Sequence, residues 1–468
     1  MSSLNENLSK LESINFSGFT DNSTFVESNF IFLSFTENIN DALKHSRDAL
    51  NRGAILVISQ VDLSEEIKEK NIYDSNLENH KDKYLKALFN RSEKDIKVIG
   101  ITGTNGKSST AFFLHQLLSF TDLNATLLTN MHKVSDLENS ELSPLTTPDK
   151  FLLHHYLKKS IDLKRDYFLM EVSSHAIDQG RICGLNFIAK SLTSFSQDHL
   201  DYHKNLEVYK ETKKSFFNQA DKNNVVSIDC DLGEELASEN NSILTVSVKK
   251  KKANLFLESN LIKTPWGDLE NFLPFKSEPM VSNFLCALGL YGKISGGIDL
   301  EPDMLKNLKT LPGRLQRVSL FENKFSYIDY AHSPDAISSV LDYLKNRYKG
   351  KIITIFGCGG ERDTLKREEM GKIVEEKSHF QIITNDNPRN EDPDEIIYEI
   401  KKGMNSKNHE IIFDRKKAIL EGLKKLKTSE PDSVLLIAGK GHENFQVIKD
   451  QEIHFNDLEV LKELKNVI

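Results

Sequence analysis

Short apolar runs alternate with amphipathic segments along the chain, which is the pattern of an α/β fold. In residues 1–92, NFIFLSF (29–35) and AILVIS (54–59) predict two strands, and the segment between them has helical spacing that ends at Gly53. The charged segment 65–83 predicts a mixture of helix and loop, and residues 91–94 predict a linker. We therefore expect a small first domain over residues 1–92.

The second predicted domain, residues 93–311, opens with KVIGITGTNGKSSTAFF (97–113). This stretch reads as an apolar strand, a glycine-rich turn and a helix that begins near Ser108. DYFLMEVSS (166–174) and NVVSID (224–229) predict further strands, and the polar region 121–143 predicts a loop. The alternation indicates a mostly parallel, doubly wound sheet, whose ligands gather at the carboxyl ends of its strands.

The third predicted domain, residues 312–468, follows the break at LPGR (311–314). Strands are predicted at the start of KIITIFGCGGERD (351–363), FQIITNDNPR (380–389) and SVLLIAGKGHE (433–443), with helical segments between them. Each apolar run ends in polar residues. The pattern again predicts parallel strands with chemically active loops at one edge of a sheet.

Composition narrows the class of protein. With 38% hydrophobic and 28% charged residues, the 468-residue chain is typical of a globular protein, and no apolar run approaches a membrane span. The net charge of −8 argues against a nucleic-acid partner, since the tetrad Lys249–Lys252 is the one basic block. Four scattered cysteines favour neither a disulfide framework nor a zinc site. No signal peptide is visible, so we expect a cytoplasmic protein without membrane attachment.

The glycine-rich turn predicts a nucleotide site. Gly103 and Gly106 let successive N–H groups point inward beside a helix N-terminus, Lys107 supplies a charge for a β- or γ-phosphate, and Ser108 or Ser109 a hydroxyl for Mg²⁺. The strict phosphate-loop pattern G-x-x-x-x-G-K-[ST] is not met, because its first glycine would fall at Ile101. An ordinary strand–turn–helix corner is the alternative. Gly-Lys-Ser between a buried strand and a helix favours ATP or GTP.

Glu171 ends an apolar strand, where a carboxylate can reach a magnesium ion beside a phosphate loop. A strand-end glutamate that faces water is an equally good interpretation of this residue alone. The polar residues that follow shift the balance towards a site, since a packed core would require apolar side chains there. They are Ser173, Ser174, His175, Gln179 and Arg181.

The segment DHLDYH (198–203) places two aspartates and two histidines within six positions, which could hold a metal ion or a phosphate. Lys213 and Lys214 follow at helical spacing from Tyr209. Solvated lysines on a helix face are the simplest interpretation of both. The physics of the sequence alone does not outweigh this interpretation.

The loops of the third domain carry opposite charges. Arg389 in DNPR can hold a carboxylate in a bidentate fork, while Asp386 can face an ammonium group. Glu443 in GKGHE supplies a second carboxylate, and Arg362 in GGERD supplies a second guanidinium. Each could be a surface ion pair worth about 0–1 kcal/mol. Three such loops in one domain favour a small zwitterionic substrate.

Nine segments, in this order, resemble the Mur ligases of peptidoglycan synthesis. They cover the chain from about residue 95 onward and read GTNGKSS, TTPD, MEVSSHAIDQGR, DHLDYH, LPGRLQRV, IDYAHSPDA, GCGGERD, DNPRNEDP and GKGHE. The resemblance implies a three-domain architecture with a UDP-binding first domain, a central ATP-binding phosphate-loop domain and a Rossmann-like C-terminal domain that binds the amino acid. It is strongest to the members that add diaminopimelate.

The resemblance also implies an activity and its partners. The γ-phosphate of ATP would convert the D-Glu side-chain carboxylate of UDP-N-acetylmuramoyl-L-alanyl-D-glutamate into an acyl phosphate, which the amine of meso-diaminopimelate would attack. Mg²⁺ and a CO₂-derived carbamate on Lys213 would assist, and the chain would act as a monomer. The family's lysine-adding relatives usually lack the arginine of DNPR, so Arg389 favours diaminopimelate.

The implied site residues follow position by position. Lys107, His199 and Lys213 would be catalytic, and Ser108, Glu171, His199 and Lys213 would hold Mg²⁺. ATP would be bound by Gly103, Thr104, Asn105, Gly106, Lys107, Ser108, Ser109, Asn283, Arg314 and Asp329. The UDP-muramoyl-dipeptide would be bound by Ser23, Thr146, Thr147, Ser173, Gln179 and Arg181. Diaminopimelate would be bound by Arg362, Asp386, Asn387, Pro388, Arg389, Gly439 and Glu443.

The chain departs from the family pattern in three places. Asn22-Ser23-Thr24 stands where Asp-Ser-Arg is usual, Met280 replaces an asparagine, and LLTNMHKV (127–134) replaces a glycine-containing segment. Two rival functions are a related ligase such as a folylpolyglutamate synthetase and an inactive nucleotide-binding regulator. The first would not require SSHAIDQGR or DNPR, and the second would not require Lys107, Glu171, His199 and Lys213 together.

Overall fold

The computed structural model describes residues 2–67, 70–92, 96–129, 145–218, 223–406, 408–449 and 451–465. The chain forms two compact units. Unit 1 is the chain up to Thr102 with His115–Ser191 and Ser215–Asn224, and unit 2 is Gly103–Leu114, Leu192–Lys214 and the chain from Val225 onward. The domain boundaries at 92/93 and 311/312 stay predictions. Residues 93 and 94 of the predicted linker lie outside the described residues.

Unit 1 begins with a four-stranded parallel sheet in which neighbours in sequence are neighbours in space. The predicted strands at 29–35 and 54–59 and the helix between them are confirmed, while the strand at Asn71–Tyr73 falls in the segment predicted as helix and loop. The elements are α1 (Ser2–Ser13), β1 (Gly18–Thr20), β2 (Phe30–Ser34), α2 (Ile39–Asn51), β3 (Ala54–Ser59), α3 (Ser64–Ile67), β4 (Asn71–Tyr73) and α4 (Leu77–Ser92).

A second sheet of unit 1 has the strand order β8-β5-β7-β6, with β5 and β6 both parallel to β7. The elements are β5 (Lys97–Thr102), β6 (Ala125–Leu128), α6 (Lys150–Asp162), β7 (Tyr167–Glu171), α7 (Ser174–Asp178) and β8 (Phe187–Leu192). Helix α5 (Lys107–Ser119) belongs to unit 2 up to Leu114 and to unit 1 from His115. The loop predicted over 121–143 is wrong at β6, whose four residues are all buried. Residues 130–144 of that region lie outside the described residues.

Unit 2 contains a sheet in which β9, β10 and β11 are parallel and β12 and β13 continue antiparallel. The strand predicted at 224–229 is β9. Helix α11 is apolar on all sides and packs as a core helix. The elements are α8 (Leu200–His203), α9 (Leu206–Ser215), β9 (Val225–Ser227), α10 (Asp231–Glu239), β10 (Leu244–Ser247), β11 (Leu255–Glu258), β12 (Leu261–Lys263), β13 (Leu269–Glu270), α11 (Glu278–Ser295) and α12 (Pro302–Lys306).

The C-terminal sheet of unit 2 has the order β14-β15-β19-β16-β17-β18, parallel except for β14. Buried apolar clusters cover both faces, and all three strands predicted here are confirmed. The elements are β14 (Gln316–Phe321), β15 (Lys324–Asp329), α13 (Pro334–Arg347), β16 (Ile352–Phe356), α14 (Leu365–Lys377), β17 (Phe380–Ile383), α15 (Pro393–Lys402), β18 (His409–Ile411), α16 (Arg415–Thr428), β19 (Val434–Ala438), β20 (Phe445–Ile448), β21 (Gln451–His454) and α17 (Asp457–Lys465).

Arg415 and Asp457 join α16 to α17 through an ion pair in which both side chains are 0% exposed. Nε and Nη2 of Arg415 each donate to a carboxylate oxygen at 2.8 Å. Because removing one partner leaves a buried charge uncompensated, we expect Asp457→Asn to lower the free energy of unfolding by about 3–5 kcal/mol in urea denaturation. The exposed pair Lys416–Glu463 joins the same helices. Glu463→Gln should cost at most about 1 kcal/mol, and equal losses in the two variants would contradict this account.

Two further observations concern the cysteines and the helices. All four cysteines are free thiols. Within the described ranges, every helix is too short or too polar to cross a membrane.

Candidate active site

The turn between β5 and α5 has the backbone of a phosphate loop. Gly103 and Gly106 have φ angles of +150° and +89°, which L side chains rarely adopt. A Cβ atom at Gly106 would lie 2.1 Å from Oδ1 of Asn283, so only glycine fits there. Helix α5 begins at Lys107, one residue before the predicted start, and its first N–H groups have no partner inside the helix. Such an end attracts anions.

Hydrogen bonds from the segment after β8 fix this loop. Thr193 Oγ1 donates to the carbonyl of Asn105 at 2.5 Å, and the N–H of Asn105 donates to Ser194 Oγ at 2.9 Å. The N–H of Thr104 donates to the carbonyl of Ser194, and its hydroxyl lies 3.1 Å from the hydroxyl of Tyr209. The loop is therefore preorganised by its own surroundings in unit 2.

Two lysines converge on one carbonyl of the loop. Nζ of Lys107 donates to the carbonyls of Gly103 and Thr104 at 2.9 and 3.0 Å, and Nζ of Lys213 donates to Gly103 at 3.1 Å. Lys213 is 1% exposed, and its Nζ lies 5.0 Å from the ring centre of Tyr209. Burial, with the nearby charge of Lys107, holds the pKa of the Lys213 amine well below its usual value. This lysine is therefore not a solvated residue on a helix face.

Asp198 is a buried carboxylate beside His199. Its Oδ1 accepts the backbone N–H of His199 at 2.9 Å, and its Oδ2 lies 3.6 Å from Nε2 of that imidazole. Nζ of Lys366, from α14, lies 3.8 Å from Oδ1. Burial opposes the charge of Asp198, but His199, Lys366 and His332 outweigh it and lower the pKa of the carboxyl. His199 itself has φ +55°, a strained left-handed conformation typical of functional sites.

In unit 1, four residues predicted to bind the dipeptide substrate lie together beyond β7. Thr147 Oγ1 donates to the carbonyl of Glu171 at 2.9 Å and accepts the N–H of Ser173 at 2.9 Å. Arg181 donates through Nη1 to the carbonyl of Thr147 at 2.8 Å and through Nε to Gln179 Oε1 at 2.9 Å. Glu171, whose backbone carbonyl joins this network, is itself buried.

The other two residues in that prediction lie in short connecting segments of unit 1. Thr146 directly precedes Thr147, and its side chain is partly exposed. Ser23 begins a 3₁₀ turn, Ser23–Phe25, which is capped by the side chain of Asn22. The structure thus places Ser23 in the segment that follows β1.

Two residues predicted to contact the nucleotide lie at the end of β15. The guanidinium of Arg314 stacks 4.6 Å from the ring centre of Tyr330. Asp329 accepts the N–H of Leu315 at 2.7 Å, and its burial raises the pKa of its carboxyl against the opposing charge of Arg314. The third, Asn283, is held by Thr110, whose hydroxyl donates to its carbonyl at 3.2 Å.

The loops after β16 and β17 bring two arginines together. Nη1 of Arg389 donates to the carbonyl of Gly360 at 2.7 Å, and hydrogen bonds to the carbonyl of Val447 and from the N–H of Lys449 fix its backbone at φ +52°. Burial and then the charge of Arg362 lower the pKa of the Arg389 guanidinium. Two cations held this close favour a ligand with carboxylate groups.

Carboxylates gather beside the arginines, at the ends of β17 and β19. Oδ2 of Asp386 is buried and has no hydrogen-bond partner among the residues described, and a Cβ atom at Gly439 would lie 2.5 Å from it. Nδ2 of Asn387 donates to Glu443 at 2.9 Å, and the buried Nζ of Lys440 donates to the same oxygen at 2.7 Å. Burial, followed by the charge of Asp386, raises the pKa of the Glu443 carboxyl. This pole suits an ammonium group.

Comparisons with known proteins agree with this geometry. The family models for the Mur ligase middle domain and for the Mur ligase, glutamate ligase domain match residues 101–291 and 313–441. UDP-N-acetylmuramoyl-L-alanyl-D-glutamate–2,6-diaminopimelate ligase of Clostridium tetani is 34% identical over 94% of this chain and 92% of the relative. The same enzyme of Clostridium botulinum is 32% identical over 98% and 96%.

The chain belongs to the Mur ligase family. A solved structure of a UDP-N-acetylmuramoyl-L-alanyl-D-glutamate–2,6-diaminopimelate ligase superposes with a TM-score of 0.62 at 28% identity, covering 97% of this chain and 95% of that one. The predicted α/β fold class with Mur ligase architecture is thereby confirmed.

Sequence reasoning gave no role to two lysines of this Mur ligase site. Lys440 lies inside GKGHE and neutralises Glu443, and Lys366 follows GGERD and faces Asp198. Asp198 appeared only as one member of the DHLDYH cluster. The signal that could have found the lysines is their place in or beside charged motifs at strand ends. Lys440 lies 3 positions from its partner Glu443, whereas Lys366 lies 168 positions from Asp198, so only the first pair is local in sequence.

Proposed function

We propose that this Mur ligase adds meso-diaminopimelate to the D-Glu residue of UDP-N-acetylmuramoyl-L-alanyl-D-glutamate, with hydrolysis of ATP to ADP, in peptidoglycan biosynthesis. The observation that carries the proposal is the cluster of charged side chains at the ends of β16, β17 and β19, where Arg362 and Arg389 lie near Asp386 and Glu443. Diaminopimelate has two carboxylates and two ammonium groups, so it matches both the arginines and the carboxylates of this cluster. The relatives named above carry this activity in their names.

Phosphoryl transfer activates a poor acyl donor. A carboxylate oxygen of D-Glu attacks the γ-phosphorus of ATP, and ADP leaves. The amine then adds to the acyl carbon, and inorganic phosphate leaves from the tetrahedral intermediate. Gly103–Lys107 bind the phosphates, and the ammonium of Lys107 stabilises charge on the transferred group because the preformed loop holds it there.

The donor set of the proposed magnesium site fits a hard cation. Within unit 2, Ser108 is a buried oxygen donor of the kind that Mg²⁺ prefers, and His199 and a carbamate on Lys213 would add two further ligands. Glu171, in unit 1, is a buried carboxylate of the same hard-donor class. Over the described ranges, no group of three or more His, Cys, Asp or Glu side chains could hold a metal by itself. The ion would therefore depend on the carbamate and the phosphates. When bound, Mg²⁺ neutralises phosphate charge.

Lys213 is suited to carry the carbamate. Attack on CO₂ requires a neutral amine, and burial beside Lys107 favours the neutral form of this one. The amine nitrogen bonds to the carbon of CO₂ and loses a proton, so the product carries a negative charge that the ammonium of Lys107 would attract. Carbamylation would thus supply an oxygen ligand at a position that lysine otherwise cannot provide.

The function is tested by measuring phosphate release with ATP, Mg²⁺ and UDP-N-acetylmuramoyl-L-alanyl-D-glutamate, with diaminopimelate, with lysine or without an amino acid. We expect rapid release with diaminopimelate, slow release with lysine and background release without either. Preference for lysine would overturn the choice of amino acid. Release that requires a folate substrate would indicate the folylpolyglutamate synthetase alternative, and absence of turnover with any substrate would indicate an inactive regulator.

A further inference from the structure

Arg367, in the first turn of α14, is a charged side chain with 0% exposure. Nη1 donates to Glu391 at 2.5 Å and to Glu399 at 2.8 Å, and Nη2 donates to the other oxygen of Glu391 at 2.8 Å. Nη2 also donates to the carbonyl of Gly359 at 3.1 Å. A buried guanidinium with bidentate carboxylate geometry fixes its partners in both distance and orientation.

Glu391 extends this ion pair to the backbone of a second loop. The same oxygen that accepts Nη2 of Arg367 also accepts the N–H of Glu361 at 2.8 Å. Glu391 follows β17, in the DNPRNED segment, whereas Gly359 and Glu361 follow β16, in the GCGGERD segment. One ion pair therefore joins the two loops that carry Arg389 and Arg362.

The two loops touch at backbone level on the substrate side as well. The N–H of Gly360 donates to the carbonyl of Asn387 at 3.0 Å, and a Cβ atom at Gly360 would lie 2.0 Å from the carbonyl oxygen of Pro388. Nη1 of Arg389 reaches the carbonyl of Gly360. This close approach leaves little freedom for one loop to move without the other.

The ion pairs of Arg367 with Glu391 and Glu399, called the clamp below, oppose a repulsion between the two arginines of the neighbouring loops. Arg362 and Arg389 are like charges, and burial followed by the charge of Arg362 lowers the pKa of the Arg389 guanidinium. Repulsion between them opposes the close approach of the two loops. The positive charge of Arg367 is neutralised by Glu391 and Glu399, so the clamp adds no net positive charge beside Arg362 and Arg389.

We propose that Arg367 and Glu391 are positioning residues that hold the Arg362 loop and the Arg389 loop in one fixed register, so that both cations meet the carboxylates of the amino-acid substrate. This inference rests on the proposed function, because it assigns these loops to amino-acid binding. The proposal predicts that loss of this ion pair changes the KM for the amino acid and leaves the KM values for ATP and the UDP-muramoyl-dipeptide unchanged.

Glu391→Gln tests the proposal in steady-state assays. We expect the KM for diaminopimelate to rise about 10- to 100-fold, the range seen when a group that orients a ligand-binding residue is removed. The KM values for ATP and the UDP-muramoyl-dipeptide, and kcat at saturating amino acid, should stay within about twofold of wild type. Arg367→Lys should show the same split, because an ammonium cannot replace the bidentate fork.

The matched control is Asp342→Asn in α13, because Oδ2 of Asp342 lies 2.6 Å from Nζ of Lys377 at the other end of α14. This variant also removes an anchor of the helix, but we expect an unchanged KM for the amino acid. Glu391→Asp retains the charge and should recover part of the affinity; it also serves if Glu391→Gln does not fold.

Two outcomes would overturn the proposal. One is an equal change in kcat and all three KM values, and the other is a lowered melting temperature with unchanged kinetics in every clamp variant, since both describe a purely structural ion pair. Failure of the proposed function is seen separately, because wild type would then not turn over diaminopimelate. In that case the amino acid that wild type does use takes its place in the assay, and an unchanged KM for it in Glu391→Gln would again overturn the clamp.

Discussion

Replacing Lys213 by alanine is expected to lower kcat by about 100- to 1,000-fold, the range for removing one preorganised charged group from an active site. Lys213 lies 3.1 Å from the carbonyl of Gly103 in the phosphate loop, in a buried position that favours its neutral amine. The variant loses the proposed carbamate and with it an oxygen ligand for Mg²⁺. The measurement is phosphate release at saturating substrates.

Lys214 offers a matched control for this experiment. It is the next residue on the same helix, but it is half-buried and forms ion pairs with Glu235 and Glu239. Lys214→Ala should keep kcat within about twofold of wild type, because surface ion pairs contribute little. Carbon-13 bicarbonate should give a carbamate resonance in wild type and in Lys214→Ala but not in Lys213→Ala. Full activity in Lys213→Ala would end the carbamate assignment.

Arg389→Ala is expected to raise the KM for diaminopimelate by about 10- to 150-fold, which corresponds to a charged hydrogen bond worth about 1.5–3 kcal/mol. The KM for ATP should not change. Free lysine lacks the distal carboxylate, so its slow turnover as a substrate should be less affected by Arg389→Ala. The preference of the enzyme for diaminopimelate over lysine should therefore fall. Competition between the two amino acids, followed by mass analysis of the product, measures that preference directly.

Two variants sharpen this test. Arg389→Lys keeps the charge but loses the planar fork, so we expect an intermediate KM. Arg347→Ala removes a guanidinium at the end of α13 whose Nε donates to the hydroxyl of Tyr348, and the KM of this variant for diaminopimelate should equal that of wild type. An undiminished preference for diaminopimelate in Arg389→Ala would show that another residue reads the distal carboxylate.

The sequence predicted best those elements whose local pattern is unambiguous. Strand β3 matches its predicted bounds, and β16, β17 and β19 end where polar residues interrupt apolar runs. Strand β6 was missed because ATLL is short and its neighbours in sequence are polar. The segment is a strand because it pairs with β7, which the local pattern does not indicate. Strand β8 was missed for a related reason, since buried Lys190 interrupts its apolar run.

The candidate site shows the same division. Motifs identified the loops, since glycine, charge and strand ends lie adjacent in sequence. Lys213 and Lys214 look alike in sequence, and only tertiary packing buries one of them and leaves the other paired at the surface. The ion pair of Arg367 with Glu391 and the approach of Lys366 to Asp198 join residues that lie far apart along the chain. No local spacing could indicate such contacts.

The central claim is that the phosphate of ATP activates the D-Glu carboxylate, and oxygen transfer tests it most directly. UDP-N-acetylmuramoyl-L-alanyl-D-glutamate labelled with oxygen-18 in its glutamate carboxylates is incubated with ATP, Mg²⁺, diaminopimelate and the enzyme, and the released phosphate is analysed by mass. The proposed acyl phosphate predicts one labelled oxygen in each phosphate released, since the bridging oxygen leaves with phosphorus. Phosphate free of label, formed together with the amide product, would contradict the account.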